Sequence, residues 1–339
     1  MPNQASAPSI SVIVVTWNSS AHLPRCLDCL DAQTFKDFEL VLVDNASIDD
    51  PQQILDSHPH AFTIRMERLR ENRGFAFGNN IGANLAQGTW LALLNSDAFP
   101  QPDWLASLHA ATQQYPDFSF FASRQVQADT PDCLDGAGDV VHFSGLAWRR
   151  FLNGPVEKLG LDPEEVFSPC AAAALYQRDA FLSVGGFDED FFSYHEDVDL
   201  GFRLRLAGHR CMYVPQAVVS HIGSASTGKK SAFGTYHKHR NVVWTYVKDM
   251  PGLLFWLYLP YHVFMNLFFL LYFSFNGDAA AIWKSKWNAL QGLGLMLRKR
   301  KRIQNGRTAS LISIYNQMDQ NWLAPLSAKA QQRQFSRQG

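Results

Sequence analysis

The chain has 339 residues, 47% hydrophobic and 18% charged, a composition that excludes intrinsic disorder and supports a large buried core. Its 30 Lys and Arg nearly balance 31 Asp and Glu, but residues 276–339 hold eleven basic and two acidic side chains, net +9, and residues 1–275 hold 19 and 29, net −10. An acidic body with a basic tail points to an anionic surface as the tail's partner, and no nucleic-acid partner is expected.

The opening MPNQASAPS lacks the basic-then-apolar order of a secretory leader, so the body is expected in the cytosol. Ile10 to Val15 is a β-branched apolar run that reads as a strand, and Thr16 to Ser20 offers small polar side chains to cap the next helix. Cys26 and Cys29 fall in that helix as a CxxC without the second pair a zinc set needs, and are read as helix packing. The odd total of five cysteines favours a reducing compartment. Phe38 to Val43 repeats the strand form and ends at Asp44-Asn45 before a helix from Pro51. Ile64 to Leu69 and Trp90 to Leu94 are further strands, with a helix from Phe75 to Ala86 between them. Strands alternating with helices imply an α/β fold: a mostly parallel, Rossmann-like sheet with helices on both faces. Ligands of such sheets sit at the carboxyl ends of the strands, where Thr16, Asn18, Asp44, Asn45, Asn95 and Asp97 fall.

Phe118 to Pro169 is loosely patterned and reads as loops and short strands. Order returns with a strand at Ala171 to Tyr176, a Gly185-Gly186-Phe187-Asp188 turn, a helix from Glu196 to Ala207 ended by Gly208, and strands at Met212 to Val214 and Val218 to His221. Beyond Lys248 the composition changes: Leu253 to Phe275 is 23 residues without charge, with ten aromatics, and Arg298 to Arg302 is wholly basic.

Asn95-Ser96-Asp97 directly follows an apolar strand, which stands a carboxylate where a hard cation and a diphosphate meet the sheet. His195-Glu196-Asp197-Val198-Asp199 gathers three acids at a helix start, more than the helix dipole alone calls for. Clustering raises their pKa values and the helix terminus lowers them, so the net shift stays open. Val198, Leu200 and Leu204 are expected in the core, Asp197 at the mouth, and Arg203 one turn from Asp199 as its partner. His221, ahead of the polar run Gly223 to Gly228, needs a carboxylate partner to act as a metal ligand.

Six segments in order, SVIVVTWNS (Ser11 to Ser19), LVLVDNASIDD (Leu40 to Asp50), ENRGFAFGNNIG (Glu71 to Gly82), LLNSDAFP (Leu93 to Pro100), GGFDEDFFSYHEDVDLGFRLRLAG (Gly185 to Gly208) and HIGSAST (His221 to Thr227), resemble family-2 glycosyltransferases of the GT-A fold, in particular the bacterial rhamnosyltransferase-type branch. The resemblance covers residues 9–248. It implies inverting transfer of a sugar from a nucleoside diphosphate sugar (dTDP-rhamnose or a UDP-hexose) to a lipid-linked glycan acceptor in cell-surface polysaccharide synthesis, such as cell wall or O-antigen. It further implies Mg²⁺ or Mn²⁺ held by Asp97 and His221, with Asp197 as catalytic base and Glu196 as the second candidate. Donor contacts carried over are Thr16, Asn18, Asp44, Asn72, Arg73, Gly74, Asn79, Asn95 and Ser96. Asn95 departs from the family's metal-binding DxD by replacing its first acid, which removes one negative charge from the site. Asp135 to Gly154, with Asp139, Trp148 and Arg149, is the expected acceptor region.

Two other readings compete. A nucleotidyltransferase would share the sheet and a metal carboxylate, but no Walker-type phosphate loop is present. An inactive membrane-bound scaffold is opposed by the retained Asp97, Asp197 and His221. Residues 1–248 are expected to form the transferase domain and 249–339 a membrane-associating region. At ~1.5 Å per residue, Leu253 to Phe275 is long enough for ~30 Å of hydrocarbon. Pro260, His262 and Asn266 near its middle and the abundant aromatics suit an interface better. One crossing would also carry the basic tail away from the cytosol. The expectation is a peripheral or re-entrant segment on the cytoplasmic face of the cell membrane, with Arg298 to Arg302 on anionic lipid.

Overall fold

The computed structural model describes residues 7–57, 59–223 and 231–327; the first six residues, and positions 224–228 of the polar run after His221, lie outside them. Strands β1 (Ile10–Thr16), β2 (Phe38–Asp44), β3 (Thr63–Arg68) and β4 (Trp90–Asn95) are parallel, in spatial order β3-β2-β1-β4. Helices α1 (Leu23–Asp31), α2 (Pro51–Leu55) and α3 (Gly74–Leu85) connect them. Period-two alternation sends Val12, Val14, Leu40 and Leu42 to one face, against Leu23, Cys26 and Leu27 of α1. Ile13 and Val41 go to the other, with Ala76 and Ala83 of α3. Both faces are covered, as parallel strands require.

The second half comprises β5 (Ala98–Pro100), α4 (Trp104–Gln114), β6 (Phe120–Gln127), β7 (Leu134–Gly136), β8 (Asp139–Val141), β9 (Ala147–Arg149), β10 (Glu164–Val166) and β11 (Ala173–Gln177). It continues with α5 (Arg178–Ser183), a 3₁₀ turn (Glu189–Phe191), α6 (Glu196–Leu206) and β12 (Cys211–His221). The sheet extends past β4 in the order β11-β6-β12-β10, with β11 antiparallel to both neighbours and β6 parallel to β12. Helices α7 (Ala232–Asp249), α8 (Gly252–Asn276), α9 (Ala279–Gln291), α10 (Leu293–Asn305) and α11 (Leu311–Gln317) complete the described chain.

The structure corrects the sequence reading in four places. Phe120–Gln127 is an eight-residue strand of the central sheet, disguised by the polar Ser123-Arg124-Gln125 within it. The two short strands expected before His221 are one, β12, whose pairing with β6 slips between Val214 and Val218. Helix α1 has no side-chain cap; the Ser19 carbonyl accepts from the His22 and Leu23 N–H groups, both at 2.9 Å. The basic run 298–302 does not face outward as a unit. Lys299 pairs with Asp190 at 2.5 Å and with Asp188, and Arg300 donates to the carbonyls of Val247 and Met250 at 3.0 and 2.5 Å.

Residues on both sides of Lys248 share one apolar cluster, in which Phe255 and Tyr258 of α8 pack with Val198, Phe202 and Leu206 of α6. Val198, Leu200 and Leu204 are buried, and all five cysteines are free, Cys26 and Cys29 within α1.

Candidate active site

The parallel register sets Thr16 beside Asp44 and Val15 beside Asn95, so β1, β2 and β4 deliver their polar ends to one edge. Asp44 is fully buried; its carboxylate accepts from the Ser47 N–H at 2.9 Å and faces Arg68 Nε at 3.1 Å. Asn18, with φ of 51°, accepts from the Ile48 N–H at 2.8 Å and donates its own N–H to Ser47 Oγ at 3.0 Å, binding the first loop to the second. Thr16 Oγ1 is buried with no hydrogen-bond partner among the described residues.

Asn45 suspends the third loop. Its amide donates to Asn72 Oδ1 at 2.9 Å and the Gly74 carbonyl at 3.2 Å, while its oxygen accepts from the Arg73 N–H at 2.9 Å. Gly74 has φ of +86°, and a Cβ there would lie 2.5 Å from the Phe192 carbonyl oxygen, so the position demands glycine on both counts. Arg73 stacks 3.5 Å over Phe77 and lines a cleft of about 420 Å³ with Leu69, Arg70 and Glu71. Asn79 and Ser96 are engaged inside the protein: Asn79 donates to the Phe75 carbonyl of its own helix at 3.0 Å, and Ser96 Oγ donates to Ser19 Oγ at 3.0 Å.

Asp97, in the turn between β4 and β5, meets His221 at the end of β12, with Oδ1 3.4 Å from Nε2 and Asn95 Nδ2 3.5 Å from the same nitrogen. His221 Nδ1 bonds Asp135 Oδ2 at 2.7 Å, and Asp135 is also paired to Arg149. Burial lowers the His221 pKa, but the bonds to Asp135 and Asp97 outweigh it and hold the value above the usual one. An Nδ1–H held by a carboxylate aims Nε2 at Asp97, the arrangement that orients ligating imidazoles. Among the described residues no group of three or more His, Cys, Asp or Glu is placed to hold a metal ion by itself. One carboxylate, one imidazole and one amide oxygen fit an ion that takes its remaining ligands from phosphate and water. Sequence reasoning named Asp135 only as the start of the acceptor region; its partner lies 86 residues away.

Asp197 opens α6 half-buried. Its Oδ2 accepts from the Ala171 N–H at 3.3 Å, and the adjoining Ala172 carbonyl accepts from the Asn95 N–H at 2.9 Å, so the same short segment touches both carboxylate sites. Burial raises the Asp197 pKa, against the N–H bonds from Ala171 and Val198 and the charge of Arg149. Glu196 is more deeply buried, with Oε2 unpartnered among the described residues, and burial and the Asp197 charge push its pKa well above the carboxylate range. Asp199 is taken up by Arg203 at 2.7 Å, the expected pairing one turn on, and also by Lys248. Asp139, from the expected acceptor region, is buried beside this cluster, and burial followed by the Asp197 charge raises its pKa as well.

The loop ahead of α6 is strained. Phe192, Tyr194 and His195 all have φ between 65° and 71°, a conformation that costs of order 1 kcal/mol or more per non-glycine residue. Asn241 of α7 restrains it: the buried amide reaches the carbonyls of Phe191, Ser193 and Tyr194 at 3.1, 3.1 and 2.7 Å. Arg240 adds bonds to the Asp190 and Phe191 carbonyls at 2.9 and 3.0 Å. No local sequence signal marks these two residues. Asn241→Ala is expected to cost about 1–3 kcal/mol of stability by removing its bonds to the Ser193 and Tyr194 carbonyls, and to lower turnover while donor-induced thermal stabilisation persists. A folded variant with unchanged turnover would detach the loop from the chemistry.

Comparison with known proteins bears on this arrangement. Residues 11–185 match the profile of glycosyl transferase family 2, and residues 154–297 that of glycosyl transferase family group 2. Over 260 residues the chain is 30% identical to the N-acetylglucosaminyl-diphospho-decaprenol L-rhamnosyltransferase of Mycobacterium tuberculosis (strain CDC 1551 / Oshkosh), covering 68% of this chain and 81% of that protein. It is 28% identical over 228 residues to a PGL/p-HBAD biosynthesis glycosyltransferase of Mycobacterium bovis (strain BCG / Pasteur 1173P2), covering 65% and 80%. Among solved structures, GalNAc-T7 with UDP, GalNAc and Mn²⁺ superposes with a TM-score of 0.58 at 18% identity, over 71% of this chain and 48% of that one. The mannosyltransferase PcManGT of Pyrobaculum calidifontis, with GDP-Man and Mn²⁺, gives 0.53 at 18% identity over 92% and 87%. At such identities the structural likeness speaks for the fold, which is GT-A.

Proposed function

This chain belongs to glycosyl transferase family 2, and we propose from that premise that it inverts the anomeric centre of a nucleoside diphosphate sugar, dTDP-rhamnose or a UDP-hexose, while transferring it to a lipid-linked glycan acceptor in cell-surface polysaccharide synthesis. The observation that carries the reading is the shared edge itself: Asp97 with His221 on one side, Asp197 on the other, joined through Ala171-Ala172. The name of the mycobacterial rhamnosyltransferase supports a diphospho-lipid acceptor.

In this reading the nucleoside lies over Thr16, Asn18 and Asp44, and the diphosphate runs along Asn72-Arg73-Gly74. Asp97 and His221, with Asn95 beside them, would hold Mg²⁺ or Mn²⁺, which when bound neutralises charge on the departing diphosphate. Asp197 takes the proton of the acceptor hydroxyl as that oxygen bonds to the anomeric carbon from the side opposite the leaving group. Glu196 is more deeply buried, and burial with the Asp197 charge raises its pKa well above the carboxylate range, which makes it the second candidate for that role. Residues 1–248 carry the chemistry, and 249–339 hold it at the cytoplasmic face of a membrane.

The test is a panel of nucleotide sugars scored by thermal shift with and without Mn²⁺, since a ligand at ~100-fold its Kd stabilises by about 2.7 kcal/mol. Asp97→Ala is expected to abolish the Mn²⁺-dependent part of the shift, and Asn95→Ala to reduce it less, an amide supplying less charge. An undiminished Mn²⁺ response in Asp97→Ala would overturn the metal assignment. A purified protein that neither hydrolyses nor transfers any nucleotide sugar would favour the scaffold.

A further inference from the structure

Helix α8 turns its polar side chains inward. His262 Nδ1 bonds the Ser144 carbonyl at 2.6 Å and its ring stacks on Tyr246 at 3.9 Å, while Asn266 Oδ1 accepts from Lys286 of α9 at 2.6 Å. Phe255, Tyr258 and Met265 complete this buried stripe, and the first two pack behind α6. The opposite stripe is apolar and open to solvent: Leu253, Trp256, Leu257, Val263, Phe264 and Leu267 recur at helical spacing and are 47–69% exposed. No charged residue occurs between Gly252 and Asn276. On one flank, Trp283 of α9 is 58% exposed and donates its indole N–H to Ser274 Oγ at 3.1 Å. On the other, the exposed Trp322 packs edge-on to Tyr261, ring centroids 5.0 Å apart. An open apolar face of this extent marks a docking site on a folded protein.

Charge selects the partner. Arg298, Lys301 and Arg302 are exposed on α10, and a cleft of about 380 Å³ lined by Gly252, Leu297, Arg300, Lys301, Gln304 and Arg307 opens at the amino end of α8 with no acid in its lining. A wholly apolar stripe edged by tryptophan and bordered by cations matches the acyl–headgroup boundary of a bilayer containing anionic phospholipid. Two copies of this face would bring like charges together.

We propose that α8 lies in the plane of such a bilayer, its outer stripe among the acyl chains and the basic cleft against lipid phosphate, so that the enzyme is monotopic. This deepens the functional reading above, on which it rests for its purpose, by naming the surface where a lipid-linked acceptor is met. A transmembrane course would strip Phe255 and Tyr258 from the cluster behind α6, break the His262 bond to the Ser144 carbonyl and expose the Asn266–Lys286 pair.

The test floats the full chain with vesicles of phosphatidylcholine, alone or mixed with phosphatidylglycerol. Wild type is expected to float with the mixed vesicles and far less with phosphatidylcholine, with its tryptophan fluorescence quenched by shallow lipid-borne quenchers. Trp256→Asp with Phe264→Asp should abolish flotation. Arg298→Gln with Lys301→Gln and Arg302→Gln should weaken binding to mixed vesicles on the order of 100-fold. All five positions are exposed, and an unchanged donor-induced thermal shift verifies that the variants fold. Failure to float on either vesicle, or a dimer that Trp256→Asp with Phe264→Asp dissolves, would overturn the proposal in favour of a protein interface. Labelling of a cysteine placed after Arg302 by a membrane-impermeant thiol reagent in intact cells would overturn it in favour of a crossing. Loss of sugar transfer with flotation intact would strike the proposed function and leave this surface standing.

Discussion

Asp197→Asn is expected to lower turnover by about 10²–10⁴-fold, the range a positioned general base contributes, with donor affinity nearly unchanged. The amide keeps the shape of the carboxylate and an oxygen for the Ala171 N–H, which Asp197 Oδ2 meets at 3.3 Å, but it cannot take a proton from the acceptor. Steady-state kinetics beside donor titration separate the two effects. The pH profile adds an independent readout. A base works only deprotonated, so wild-type turnover falls as pH drops through the Asp197 pKa, and burial places that limb above the ordinary carboxylate value. In Asp197→Asn the limb should vanish. A variant retaining more than about a tenth of wild-type turnover would be inconsistent with a general base here. Asp199 is consumed by Arg203 and Lys248, so suspicion would pass to Glu196 and then Asp139.

Lys248→Met is expected to remove about 3–5 kcal/mol of stability, the loss typical of breaking a buried ion pair from one side. The Lys248 ammonium is fully buried, 2.6 Å from Asp188 Oδ2 and in contact with Asp199, and it sits 4.7 Å from the Phe191 ring centroid. It ties the Gly185-Gly186-Phe187-Asp188 turn and the start of α6 to the last turn of α7. Burial alone would raise the Asp188 pKa, but the charges of Lys248 and Lys299 override it and leave the carboxyl well below its usual range. A lowered carboxylate pKa stabilises the fold above the unfolded value near 4 and loses that contribution as pH falls through the native one. Denaturant unfolding should show the loss at neutral pH and a shallower decline in acid for the variant. Asp188→Asn with Lys248→Met should unfold later than the sum of the single changes requires, because neither charge is then stranded. A loss below about 1 kcal/mol for Lys248→Met would place the pair in the weak class of solvated bridges.

The sequence by itself determined the parts that are local. The runs Ile10 to Val15, Phe38 to Val43 and Trp90 to Leu94 are apolar, β-branched or leucine-rich, and stopped by polar residues. Those patterns specify strands and place Thr16, Asp44 and Asn95 at their carboxyl ends with no knowledge of neighbours. The helix from Glu196 ending near Gly208, and the pairing of Asp199 with Arg203, are likewise legible because both lie within one helical turn of their cause.

Tertiary structure alone decided what depends on distant partners. Strand β6 escaped recognition because Ser123 and Gln125 are buried and bonded to partners outside the sheet, Trp104 of α4 and the Cys170 carbonyl, and polarity in a one-dimensional pattern reads as surface. Asp135 orients His221 across 86 residues, and Asn241 holds the loop before Asp197 across 47 to 50. Polar side chains of this kind carry no periodicity, since their placement satisfies a buried partner rather than a face of their own element. The same reason splits the basic run at Arg298 to Arg302: its composition is a property of the chain, but which cations meet solvent and which meet Asp188, Asp190 or a helix end is settled by what α10 packs against.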